Sequence, residues 1–87
     1  ELGNQAEALA YYDKARRIYE KQKALEKLAG VWVNIGIVHK AQKEYAKAIS
    51  YYKLAADLYQ TTENQFGAAA YQSNLGSIYL YLKKYDS

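Results

Sequence analysis

An all-α chain, built as an α-solenoid of antiparallel helix hairpins with about four helices, is what this sequence predicts, and three observations predict it. The 87 residues contain no proline, while Ala, Leu, Lys, Glu and Gln supply high helical propensity throughout. Apolar residues recur at helical spacing. The side-chain pattern also returns after 40 residues, with alanine and glycine at positions where two helix axes approach closely.

The first helix is expected over residues 6 to about 22, where Ala8, Tyr12, Ala15 and Tyr19 run i, i+4, i+7, i+11. The second is expected over about 26–42, where Trp32, Ile35, Gly36 and His39 run i, i+3, i+4, i+7. A third, over 45–62, copies the first at a shift of 40. The copy pairs Ala6 with Ala46, Ala8 with Ala48, Tyr11 with Tyr51, Tyr12 with Tyr52, Ala15 with Ala55 and Tyr19 with Tyr59. Leu9/Ile49 and Ile18/Leu58 match conservatively. A turn is expected at residues 63–67. The fourth helix, about 66–83, copies the second through Asn34/Asn74, Ile35/Leu75, Gly36/Gly76 and Val38/Ile78.

Glycine inside a helix costs roughly 1 kcal/mol against alanine, so Gly36 and Gly76 need a packing reason. Close approach to a neighbouring helix supplies it. Ala8, Ala15, Ala48 and Ala55 have the same function, and Tyr12, Tyr52, Trp32 and Tyr79 fill the space beside them.

The stretch 32–39, W-x2-I-G-x2-H, followed by Tyr45, Ala48, Tyr52 and Ala55, resembles the tetratricopeptide pattern W-x2-L-G-x2-Y…A-x3-F…A over essentially the whole chain. The period of 40 exceeds the usual spacing of about 34, and Gln60 stands where a proline commonly closes the second helix of a repeat, so longer helices are expected. Long repeats of this kind are similar to the tetratricopeptide arrays of kinesin light chains and of bacterial sensor kinases and transcription regulators.

In the frame of that resemblance, residues 1–28 are the second helix of one repeat plus its turn, 29–68 a complete repeat, and 69–87 the first helix of the next. The chain then reads as a fragment cut out of phase from a longer array. Because solenoid repeats bury their apolar stripes only against neighbours, self-association is expected through the terminal helices. The helix bearing Tyr12 and Tyr19 would pack against residues 71–82 of another chain as a ring, a swapped dimer or a filament.

Composition narrows the function classes. Without cysteine there are no disulfides, thiol nucleophiles or thiolate metal sites. No window approaches the roughly 18 apolar residues of a membrane span, and Glu1-Leu2-Gly3-Asn4 is no signal peptide, so a soluble piece with no membrane contact is expected. The net charge of +3 comes from interspersed residues, as in Asp13/Arg17, Arg16/Glu20, Lys40/Glu44 and Lys53/Asp57, the pattern of a solvated face and not of a nucleic-acid footprint. Most of the eleven tyrosines, Tyr12, Tyr19, Tyr52, Tyr59 and Tyr79 among them, fall in register with a helix-hairpin core, not with base stacking. Serine, aspartate and the sole histidine, His39, have no reason to converge, and no phosphate loop or metal-ligand spacing occurs. Catalytic residues, cofactor and metal are therefore all expected to be absent. His39 is assigned to packing.

Asn34 and Asn74 each precede a repeat glycine by two residues. An asparagine offers both a donor and an acceptor, enough to clamp an extended peptide backbone without demanding a particular side chain. In tetratricopeptide proteins this helix lines the concave face. The resemblance therefore implies a protein or peptide partner contacted by Asn34, Ile37, Lys40, Asn74, Ser77 and Tyr81, within a groove-facing set that adds Gly30, Val33, Ala41, Ala70, Ser73 and Leu80. Val33, Ile37 and Ala70 occupy the places of the basic residues that clamp a chaperone's acidic C-terminus in relatives, so that ligand is not expected. The competing reading is a spacer or self-assembling element in which each asparagine bonds only a neighbouring helix or water.

Overall fold

Three helices follow one another in the computed structural model, which describes the backbone of residues 2–66, 80, 81, 83 and 84, with side-chain surroundings for 4–61 and those last four. They are α1 (Leu2–Gln22), α2 (Leu25–Ala41) and α3 (Tyr45–Phe66). No strand occurs among the described residues. α2 packs against both neighbours, and more extensively against α3 than against α1.

Connections of two or three residues make consecutive helices antiparallel. Both connections use one device. Lys23 (φ 56°) and Lys43 (φ 63°) adopt the left-handed conformation just past a helix end. At the first turn Ala24 N–H donates to Tyr19 O at 2.9 Å and Lys23 N–H to Glu20 O at 3.2 Å. At the second, Glu44 N–H donates to His39 O at 2.9 Å and Lys43 N–H to Lys40 O at 2.9 Å. This is the Schellman arrangement, which satisfies carbonyls left over at a helix end and usually employs glycine. Neither lysine is a sequence signal for a turn.

The core forms where α2 lies on α3. Ala29 from α2 joins Ala48, Tyr52, Ala55, Ala56 and Tyr59 from α3, with Trp32, Val33, Leu58 and Tyr81 packed against them. Gly36 marks the closest approach. A Cβ placed on it would lie 2.7 Å from Tyr52 Cε1 and 2.9 Å from Cδ1, so no larger residue fits while that ring stays in place. Beside it Tyr51 stacks on Trp32 at 5.6 Å and on His39 at 5.4 Å. Residues seven apart on a helix rise about 10.5 Å, so the Tyr51 ring is held between those two. α1 is tied to the C-terminal end of α2 by Gln42 Nε2, which donates to Gln5 Oε1 at 2.8 Å.

Three expectations need correction. α1 starts at Leu2 instead of about residue 6, and α3 continues to Phe66, so residues 63–66 of the expected turn are helical. With no proline and no glycine between 45 and 66 nothing interrupts α3, and the Thr61 hydroxyl donates back to the Asp57 carbonyl at 2.9 Å inside the helix. The Lys40/Glu44 spacing is not helical either, since Glu44 lies beyond the end of α2. Its carboxylate instead takes His39 and Lys47. Asp13/Arg17 and Arg16/Glu20 do pair, at 3.0 and 2.8 Å. The fourth expected helix falls mostly outside the described residues, although 80, 81, 83 and 84 are helical.

Two substitutions should shift stability in opposite directions. Ala55 is fully buried, so Ala55→Leu adds volume where none is free and should cost roughly 1–3 kcal/mol. Lys43→Gly relieves a left-handed lysine and should add about 1 kcal/mol. Urea unfolding followed by circular dichroism checks both.

Candidate functional site

α2 has one face committed to packing and one left open. Leu28, Ala29, Val31, Ile35 and Gly36 are buried. On the opposite side Asn34, Ile37, Lys40 and Ala41 are exposed, Ile37 to 46%, with Gly30 and Val33 half-buried beside them. A large aliphatic side chain left nearly half open, flanked by an amide and an ammonium, gives a mixed surface of low charge.

Two neighbours shape this face. Toward α1 it meets a cleft of about 270 Å³ lined by Tyr11, Tyr12, Ala15, Tyr19, Lys27, Gly30, Val31 and Asn34. No atom lies within 4 Å of where a Gly30 Cβ would stand, so a ligand backbone has room to approach there. Lys27 Nζ sits 5.9 Å from the centre of the Tyr19 ring across the cleft. At the other end Lys40 Nζ lies 5.4 Å from the Tyr81 ring, which is half-buried and edge-on to Tyr52 at 4.7 Å.

Of the expected contact residues, Asn34, Ile37 and Lys40 thus share one exposed face of α2, and Tyr81 meets Lys40 at its end. Asn74 and Ser77 lie outside the described residues. Leu80, from the wider groove-facing set, is 73% exposed. Sequence reasoning missed the contribution of α1. It placed Tyr12 and Tyr19 in the core, yet both are half-buried and line the cleft, whereas their copies Tyr52 and Tyr59 are 4% and 3% exposed. No signal in the sequence separates the two copies, since the residues are the same or nearly so.

The turn that ends this face is held electrostatically. His39 Nδ1–H donates to Glu44 Oε1 at 2.9 Å, and Lys47 Nζ reaches Oε2 at 3.4 Å. The His39 hydrogen bond, helped by Lys47, holds the Glu44 carboxyl below the ordinary glutamate value of 4.5. On α1 the Arg16 guanidinium likewise holds Asp13 below its ordinary value. Among the described residues no three His, Asp or Glu side chains gather as metal ligands, and no helix is long and apolar enough to cross a membrane.

A tetratricopeptide repeat family model matches residues 27–87, well over half of the chain. The chain belongs to the tetratricopeptide repeat family. No curated protein and no solved structure matches it. Such repeats are generally non-catalytic scaffolds, and they serve as protein–protein interaction modules that typically bind proteins or peptides.

The lowered Glu44 has a signed consequence. Its folded-state value is depressed, so its contribution is present above 4.5 and is lost as pH falls through the folded value. Melting temperature should therefore fall below pH 4.5. Glu44→Gln should lower it at neutral pH and make the acid fall shallower, in a thermal series followed by circular dichroism.

Proposed function

We propose that the exposed face of α2 is a groove wall that grips an extended peptide or a partner helix, as one unit of a longer repeat array. Within that array residues 29–68 make the complete repeat, flanked by the second helix of one neighbour and the first helix of the next. The observation that carries the reading is the exposure of Asn34, Ile37 and Lys40 on one side of a helix whose other side is consumed by packing. Asn34 has the donor and acceptor to bond a ligand backbone, Ile37 offers apolar contact, and Lys40 with Tyr81 bounds the groove. Asn74 and Ser77 repeat this chemistry one period on, by sequence. Val33 and Ile37 bring no positive charge, so the ligand is not an acidic C-terminus. With one repeat and two partial neighbours, the dissociation constant should be on the order of micromolar or weaker.

The spacer or self-assembling reading draws on a different observation. Tyr11 and Ile18 of α1 are 68% and 53% exposed on an outward face with no helix against it among the described residues. Self-association through the terminal helices would cover them.

Replacing Asn34 and Asn74 together by alanine separates the two. Two lost side-chain hydrogen bonds should weaken binding of a partner recovered on the immobilised chain about tenfold or more, with helicity unchanged. Unchanged recovery would instead favour the spacer.

A further inference from the structure

The turn after α2 leaves a positive charge on the open face of that helix. Lys40 and Glu44 would pair at i, i+4 if the helix ran on, but α2 ends at Ala41. Left-handed Lys43 turns the chain, and Glu44 is committed on both carboxylate oxygens, to His39 Nδ1 at 2.9 Å and to Lys47 Nζ at 3.4 Å. The sole carboxylate of α2 itself, Glu26, lies fourteen residues back, about 21 Å along the helix. Among the described residues no ion pair includes Lys40.

Lys40 is nonetheless held in place. Its ammonium lies 5.4 Å from the centre of the Tyr81 ring, and Tyr52 braces that ring edge-on at 4.7 Å. A cation–π contact restrains the stem without neutralising the charge, so an incoming anion meets a preorganised cation. One turn back Ile37 is 46% exposed, and one turn before that Asn34 is exposed too. α2 is packed by α1 and by α3, with Tyr81 beside its C-terminal end, and this line stays open with all three in place.

From this arrangement we infer that Lys40 is a specificity-determining residue, selecting an extended peptide with an acidic side chain two residues from an apolar one. The inference rests on the groove reading of α2 above. Charge complementarity fixes the acid, since the line carries a cation and no carboxylate among the described residues. Ile37 takes the apolar side chain. Asn34 selects the extended form, because its amide bonds a ligand backbone whose N–H and C=O are not already spent inside a helix. In an extended chain, side chains i and i+2 project to one side about 6.6 Å apart. Ile37 and Lys40 are separated by a rise of about 4.5 Å, and the lysine stem spans the difference. The carboxylate is that of an internal Asp or Glu, so it is distinct from the acidic C-terminus excluded above.

The test titrates capped Ser-Leu-Ser-Glu-Ser and Ser-Leu-Ser-Gln-Ser peptides, and each in reversed order, into the isotope-labelled 87-residue chain, followed by amide chemical shifts. Shifts are expected at Asn34, Ile37 and Lys40. In at least one order the Glu peptide should bind about threefold more tightly than its Gln counterpart, the gain of one exposed ion pair. That advantage should fade in about 1 M salt, where charges are screened beyond about 3 Å. Lys40→Gln should bring the Glu and Gln peptides to the same affinity, and Lys40→Arg should keep the preference. Equal affinities on the unaltered chain, with shifts at Asn34 and Ile37, would overturn the inference and leave the groove reading standing. A Glu preference that survives Lys40→Gln would overturn it as well. No shift at the three residues with any peptide would remove the groove reading and this inference together.

Discussion

The approach of α2 to α3 at Gly36 is the contact on which the other packing depends. With hydrogen in place of a side chain, α2 lies close enough that Tyr52 occupies the space where a Cβ would be, 2.7 Å from the nearest ring atom. Glycine in mid-helix costs roughly 1 kcal/mol, whereas burying an aromatic side chain contributes about 1.5–3 kcal/mol, so the balance favours the glycine. Once the axes are that close, Ala48 and Ala55 have no room for larger side chains, and Tyr51 is confined between Trp32 and His39. The carboxylate of Glu44 then meets His39 at the end of the same pair and fixes the turn.

That constraint divides the labour of α2. A helix packed along one side by α3 and touched by α1 has a single remaining face, and Asn34, Ile37 and Lys40 occupy it. Repetition supplies the rest of the logic. α1 and α3 share one sequence pattern, and their burial differs with the helices packed against each.

Much of the fold was legible because the constraint has a sequence signature. Gly36 and Gly76 stood out as costly mid-helix glycines, and the alanines at 8, 15, 48 and 55 returned at a fixed interval with tyrosines beside them. Helix ends were less legible. Lys23 and Lys43 terminate α1 and α2 in a conformation that glycine usually adopts, and residues 63–66 look like turn formers yet extend α3. Local composition failed there because backbone hydrogen bonds and the lack of a true breaker decided the outcome. The line of Asn34, Ile37 and Lys40 on α2 followed from the family resemblance. The wall contributed by α1 did not, since the same tyrosines are core on α3, and only the neighbouring helix decides which environment each copy meets.

The most direct test of this account is the proximity of Gly36 to Tyr52 in solution. A nuclear Overhauser spectrum of the 87-residue chain should show cross-peaks from the Gly36 Hα protons to the Tyr52 ring, with those Hα resonances displaced by the ring current. Tyr51 ring protons should show cross-peaks to both Trp32 and His39. If Gly36 shows no contact with Tyr52 while the helices remain intact, α2 and α3 are not packed in this register, and the division of α2 into a buried and a binding face is contradicted.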